Sequence, residues 1–259
     1  MILNYYKALI FFLLCFDISS AKITRVMTYN IHHGEGTDNI IDLKRIAQVI
    51  NKWSPDLVAL QEVDNETTRS GNINETDTLS MLTQMYSVFG KNIDVFGGGY
   101  GNAILSKYPI IRSENRKLPR VNNGEQRGLL AVWVEVPFSK EKLVFISTHF
   151  DHRTNPQERV QSTKQIKSWI ERGDFGDHII LAGDLNDIPS SDILLVFNSI
   201  CDGSNQSNKY KTFPAENPTR QIDYIFACGK GRYSIDSFHV IDEPIISDHL
   251  PLVSDIIFP

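Results

Sequence analysis

The chain has 259 residues, 41% of them hydrophobic and 22% charged, with a formal net charge of −5. That composition is globular rather than disordered, and the length allows one large domain or two small ones. The acidic balance excludes a protein that coats nucleic acid through bulk positive charge, but it leaves room for a site built on carboxylates.

The N-terminus reads as a processing signal. Lys7 is the one charge ahead of an apolar run over 8–16, and Ser19-Ser20-Ala21 supplies small residues at the cleavage positions. Cleavage is expected after Ala21. Residues 22–259 then form a single domain, secreted or periplasmic. The run is too short to cross a bilayer comfortably, and no later stretch is long enough for a transmembrane helix. Without the signal, Cys201 and Cys228 remain and could form one disulfide in an exported protein. Nothing in the sequence says whether they meet.

In chain order, residues 23–29 alternate apolar and β-branched side chains and read as a strand. It ends in the polar loop Asn30-Ile31-His32-His33-Gly34-Glu35-Gly36. Asp42 can cap a helix in which Leu43, Ile46, Ala47, Val49 and Ile50 fall at helical spacing, broken at Ser54-Pro55. Residues 56–60 are a short strand running into Gln61-Glu62-Val63-Asp64, 65–76 are loop-like, and 78–86 can be helix. Residues 86–96 suit a strand, the glycine-rich 97–102 a flexible loop, and 103–106 a strand stopped at Tyr108-Pro109. Residues 129–136 and 143–147 pair as a hairpin about 137–141. Pro156 opens a helix to about Glu171. A strand over 178–181 ends in Ala182-Gly183-Asp184-Leu185-Asn186-Asp187. Residues 191–198 are helical, and 222–227, 234–241 and 252–258 are strands. No linker or repeat divides the chain.

Several strands finish in polar residues: Asn30, Glu62, His149, Asp184 with Asn186, and Asp248 with His249. Sites in α/β proteins gather at strand ends. An adjacent Asp-His pair also fits a solvated turn, since burying both unpaired would cost several kcal/mol. The repetition at successive strand ends is what argues for a site.

Taken together, these segments resemble the endonuclease/exonuclease/phosphatase superfamily, which includes deoxyribonuclease-like nucleases, apurinic-site endonucleases, inositol polyphosphate 5-phosphatases and neutral sphingomyelinases. The matching pieces keep the family's order. They are Met27-Thr28-Tyr29-Asn30-Ile31, Leu60-Gln61-Glu62-Val63, Gly101-Asn102-Ala103-Ile104-Leu105-Ser106, Ser147-Thr148-His149, Gly183-Asp184-Leu185-Asn186, Gln221-Ile222-Asp223-Tyr224-Ile225 and Ser247-Asp248-His249-Leu250-Pro251. The resemblance implies an α/β fold of the deoxyribonuclease I-like kind, a four-layer α/β/β/α sandwich of two mixed sheets flanked by helices. It also implies a metal-dependent phosphoric ester hydrolase that uses Mg2+, with Mn2+ as an alternative.

By that resemblance Glu62 matches the principal metal ligand. Asp248 adds a second carboxylate, and Asn30 either adds an amide oxygen or orients Glu62; such hard oxygen donors suit Mg2+. Asp184 matches the residue that orients or deprotonates the attacking water, and Asn186 an amide donor to the developing charge. His249, held by Asp223, resembles the family's His-Asp pair. His149 matches a proton donor to the leaving group, and Asn102 a substrate-facing position. Some members carry an acidic residue where this chain has His32. His32 and His33 could face substrate, take a softer metal such as Mn2+ or Zn2+, or be solvated loop residues. His32 is kept as a substrate-binding candidate, and His152 is left open in the same way. Arg127 could bind a phosphate bidentately or form a surface salt bridge. Glu35, Asp64 and Asp187 read as loop or capping residues.

The substrate is less constrained. Lys107, Arg112, Arg116, Lys117, Arg120 and Arg127 outnumber Glu114 and Glu125 over residues 107–127 and could track a phosphate backbone or form a solvated hairpin. That favours a phosphodiester of nucleic acid, DNA or RNA. Alternatives are a sphingomyelinase-like or other small or lipid phosphoester hydrolase, and a catalytically dead binding relative. A monomer is expected.

Overall fold

The structure, a computed structural model, describes residues 22–137, 142–203, 208–229 and 233–258. The expected signal segment and its cleavage position lie outside them, as does most of the 137–141 turn. Along the chain, period-2 and period-3.6 patterns alternate. They give strands β1 (Lys22–Asn30), β2 (Leu57–Asn65), β3 (Tyr86–Val95), β4 (Gly98–Ser106), β5 (Ile110–Lys117), β6 (Gly128–Val134), β7 (Leu143–His149), β8 (Ile179–Asp184), β9 (Cys201–Gly203), β10 (Asp223–Cys228), β11 (Ser234–Val240) and β12 (Leu252–Phe258). The helices are α1 (Leu43–Trp53), α2 (Glu75–Thr83), α3 (Gln157–Glu171) and α4 (Asp192–Asn198).

Among the described residues the strands form two mixed six-stranded sheets. One runs β11-β12-β1-β2-β4-β3 and the other β5-β6-β7-β8-β10-β9. Strand alternation sets the layers. In β2, Leu57 and Ala59 face the core between the sheets, where they meet Phe145, Ile180 and Ile225. Their neighbours Val58 and Leu60 face outward onto Ile46 and Ile50 of α1. In β8, Ile180 and Ala182 point inward, while Ile179 and Leu181 pack outward against Ile166 of α3 and Phe197 of α4. The result is helices, sheet, sheet, helices, as the resemblance implied.

Both outer helices of the first sheet start on side-chain caps, with Asp42 accepting from the Lys44 N–H and Asn74 from the Asp77 N–H. Cys201 and Cys228 sit opposite each other in the β9–β10 register and are bonded.

Some elements differ from the sequence expectation. Helix α2 starts at Glu75 rather than 78 and stops before β3. Residues 98–102 are not a flexible loop but the first half of β4. Glycine is needed there by close approach, not by mobility: a Cβ on Gly101 would lie 2.1 Å from the Gly90 carbonyl oxygen across the β3–β4 ladder. Strand β5 carries no sequence signal, because its outer-edge residues, Ile-Ile-Arg-Ser-Glu-Asn-Arg-Lys, lack an apolar alternation. β2 also runs on through Glu62, which is accommodated in an irregularity between Leu60 and Val63.

Candidate active site

Strand register assembles the site. His149 ends β7 opposite Asp184, the last residue of β8. Asp184 in turn pairs with Asp223, the first residue of β10. Three polar residues therefore lie in one row across the second sheet. The first sheet supplies the facing wall with Asn30 at the end of β1 and Glu62 in the β2 irregularity, where Glu62 takes φ +58°. Gly183 permits the close β7–β8 contact, since a Cβ there would meet the Thr148 carbonyl oxygen at 2.0 Å.

At the centre is the buried Asp184. Its Oδ1 accepts from the Asn186 N–H at 2.8 Å and its Oδ2 from Asn30 Nδ2 at 3.2 Å. The same Oδ2 lies 3.6 Å from His149 Nε2 and 3.7 Å from His249 Nε2. His249 Nδ1 is 2.9 Å from Asp223 Oδ2, and Thr212 Oγ1 donates to that same oxygen. Asn30 also donates to Glu62 Oε1 at 2.9 Å, while its own Oδ1 accepts from the His32 N–H at 3.1 Å. Asn30 thus contacts both Asp184 and Glu62 through its amide nitrogen.

Burial opposes charge on all of these groups, and the partners decide which keep it. Burial works against the His249 cation, but the Asp223 charge and hydrogen bond, with Asp184 and Asp248 nearby, push the imidazole up to about 10. Burial and then the Arg127 charge hold His149 well below the ordinary histidine value. Burial and the Asp223 carboxylate raise Asp184. Glu62 is opposed by burial, yet the Asn30 hydrogen bond and the nearby histidines and Arg127 hold it below the ordinary carboxylate value.

His149 meets a donor group at each ring nitrogen. Arg127 Nη1 lies 3.1 Å from its Nδ1, and a guanidinium can only donate. Asn186, at φ +51°, brings its Nδ2 within 3.1 Å of Nε2 while donating to the Phe150 carbonyl.

A cavity of about 360 Å³ opens over this row. Its lining includes Glu62, Arg127, His149, Asp184, Asn186, Asp248 and His249 from the sequence candidates. Asn30 and Asp223 stand behind it. His32 and Asn102 do not line it. Asn102 is buried on β4, where its Nδ2 donates to the Gly128 carbonyl at 3.1 Å, so it ties the two sheets together instead of facing substrate. The lining also contains residues the sequence did not single out, among them Glu125, Phe213 and Arg220. Phe213 packs on the His249 ring at 4.7 Å, and the Arg220 guanidinium lies 4.7 Å over Phe213. Neither carries a motif.

A sequence profile of the Endonuclease/Exonuclease/phosphatase family matches residues 27–249. The chain belongs to that family. It is 27% identical over 244 residues to the "Uncharacterized protein YbhP" of Escherichia coli strain K12, covering 90% of this chain and 95% of that one. Among solved structures it resembles an endonuclease/exonuclease/phosphatase of Beutenbergia cavernae, with TM-score 0.73 and 25% identity over 91% of this chain and 72% of that one. The mannosyl-6-phosphatase Bt3783 of Bacteroides thetaiotaomicron gives TM-score 0.73 at 18% identity, covering 91% and 100%. The human Nocturnin catalytic domain, solved with a sulfate anion, gives 0.71 at 20%, covering 92% and 98%. At those lower identities the likeness concerns the fold alone. As a member of the endonuclease/exonuclease/phosphatase family the chain is a phosphoesterase-type hydrolase of a generally divalent-metal-dependent family. No helix among the described residues is long and apolar enough to cross a membrane.

The basic stretch over 107–127 has a structural account. Lys107 pairs with Asp56, and Arg116 with Glu114 and Asp174. Arg112 lies over the Trp133 ring, and Lys117 Nζ donates to backbone carbonyls of β3. Arg127 pairs with Glu125 beside the cavity.

Proposed function

We propose that the protein is an exported, monomeric, divalent-metal-dependent phosphoesterase that hydrolyses a compact phosphate ester by metal-assisted attack of water. The observation that carries this reading is Asp184 Oδ2 lying between the Nε2 atoms of His149 and His249. One carboxylate oxygen there faces one neutral imidazole and one cationic imidazole on the floor of an open cavity.

The donor chemistry fits a hard cation. Glu62 stays charged, Asp248 lines the same cavity, and Asn30 fixes the Glu62 rotamer. Glu62 and Asp248 would hold a divalent ion, which would supply Lewis-acid polarisation of a phosphoryl oxygen and acidification of water. The chain's own residues do the rest. Asp184, raised toward neutral range by its burial, orients the attacking water and accepts its proton. His249, cationic and braced by Asp223, neutralises a phosphoryl oxygen. His149, neutral and held by Arg127, faces the departing oxygen, and Asn186 adds an amide donor.

A compact substrate is supported by the cavity of about 360 Å³ and by the internal partners of Lys107, Arg112, Arg116, Lys117 and Arg127 in the basic stretch. Nucleic acid is the second reading. It is favoured by the exposed Arg220 over Phe213 at the cavity wall, which offers a phosphate contact beside a stacking face. Export rests on the N-terminal composition and agrees with the Cys201–Cys228 bond, which suits an oxidising compartment.

The test is a panel of p-nitrophenyl phosphate, bis-p-nitrophenyl phosphate, sugar phosphates, plasmid DNA, RNA and sphingomyelin. Each is assayed with Mg2+ or Mn2+ and again with EDTA. The expected result is metal-dependent turnover of small esters exceeding that of polymer or lipid. Preferential cleavage of DNA or RNA would select the second reading, and no metal-dependent turnover of any substrate would remove the enzyme reading.

A further inference from the structure

We propose that His32, His33 and Glu62 form a binding site for a first-row transition-metal ion, with Zn2+ and Mn2+ as the fitting class rather than Mg2+. The inference deepens the reading of Glu62 as a metal carboxylate and rests on it for that residue. One nitrogen of each imidazole and one Glu62 carboxylate oxygen lie within 4.8 Å of one another.

The backbone is bent to bring them there. His32 and His33 take φ +45° and +44° in consecutive positions of a 3-10 turn, and Glu62 takes φ +58°. Left-handed conformations in residues other than glycine are unfavourable and persist where surroundings enforce them. Here the only three non-glycine residues with positive φ between β1 and the middle of β2, apart from the exposed turn at Asn39 and the helix end at Ser54, are the three that converge.

The rings are also prepared as ligands. Glu35 engages one nitrogen of each. His32 Nδ1 is 3.3 Å from the Glu35 carbonyl oxygen, and His33 Nε2 is 3.3 Å from the Glu35 carboxylate. Both oxygens accept, so both of those nitrogens carry the protons. The lone pairs are then left on His32 Nε2 and His33 Nδ1. His33 Nδ1 is buried and has no hydrogen-bond partner. A carboxylate or carbonyl on the far nitrogen of a histidine is the usual support of a metal-bound imidazole. Two imidazoles and a carboxylate favour zinc or manganese, whereas Mg2+ prefers oxygen donors alone.

The test uses the untagged, full mature chain stripped of metal. Zn2+ and Mg2+ binding are measured by calorimetry, and Co2+ binding by its visible absorption bands. His33→Asn is the diagnostic variant, because asparagine tolerates the left-handed backbone while lacking the imidazole. Glu35→Gln weakens only the support, and His239→Asn removes an exposed histidine of β11 outside the trio. The expected result is one Zn2+ bound at least 100-fold more tightly than Mg2+. His33→Asn should lose that affinity by 100-fold or more and change the Co2+ spectrum. Glu35→Gln should lose about 10–100-fold, and His239→Asn should keep the Co2+ spectrum. Wild-type Zn2+ affinity and an unchanged Co2+ spectrum in His33→Asn would overturn the site, as would loss of the spectrum in His239→Asn. Melting curves confirm that each variant is folded. Failure of phosphoester turnover with every metal would be a separate result, bearing on the function and leaving these binding measurements standing.

Discussion

At the residue scale the balance between burial and partners decides each protonation state. His249 is the clearest case. Its raised value means the cationic form is held in the folded protein up to about 10. The stabilisation from its pair with Asp223 is therefore complete below the ordinary histidine value of about 6.5 and is lost as pH rises through about 10. Activity that needs the cation should hold through neutral pH and fall on the alkaline side. Replacing Asp223 by Asn should lower turnover by about 10²–10⁴-fold and move the alkaline limb of the pH–rate profile toward neutrality. An unchanged limb would show that Asp223 does not hold His249. The identities of these residues were legible in the sequence because their motifs border strands: His149 and Asp184 close β7 and β8, Asp223 opens β10, and Asp248-His249 precede β12. The roles of Thr212, Phe213 and Arg220 were not, since they lie in the connection between β9 and β10, which carries no periodic signal.

At the element scale β4 shows how a glycine-rich run can mislead. Gly98-Gly99-Tyr100-Gly101 reads as flexible, yet it is strand in which side chains would collide with the neighbouring backbone. Gly101→Ala should therefore force apart the β3–β4 ladder and destabilise by about 1–3 kcal/mol, read as a lowered denaturation midpoint. An unaltered midpoint would contradict the close approach. Helix α2 is docked by its first residue, Glu75, which is buried and accepts the Asp64 N–H at 2.8 Å. Burial is the main reason its carboxyl is pushed up to about 8, with the Asp64 charge adding and the hydrogen bond opposing. Because the folded value is raised, this stabilisation is full below about 4.5 and fades as pH rises through 8. Glu75→Gln should lose less melting temperature between pH 5 and pH 8.5 than the wild type, on a scale of roughly 2–4 °C per kcal/mol. An equal loss in both proteins would place the pH sensitivity elsewhere.

For the whole molecule, the four-layer arrangement could be anticipated, but the row of His149, Asp184 and Asp223 could not. It depends on the β7–β8 and β8–β10 registers, which a one-residue slip would destroy. The two sheets are also joined beneath the site by a buried polar chain. Thr28 Oγ1 donates to Gln61 Oε1 at 3.2 Å, Gln61 Nε2 donates to Ser147 Oγ at 3.2 Å, and Ser147 Oγ donates to the Leu60 carbonyl at 3.1 Å. Gln61→Ala strands these partners and should cost about 1–3 kcal/mol, measured by chemical denaturation; a neutral result would mean that the chain contributes nothing to holding the sheets. The joined sheets bring the Asn30–Glu62 wall to the row of His149, Asp184 and Asp223, and Asp184 lies where they meet. The most direct measurement is the hydrolysis rate of a p-nitrophenyl phosphoester under saturating Mg2+ or Mn2+ for the wild type and Asp184→Asn, with folding checked by melting. A fall of about 10²–10⁴-fold in kcat, with the fold intact and wild-type activity abolished by EDTA, is the expected result. Wild-type turnover by Asp184→Asn, or turnover indifferent to EDTA, would contradict it.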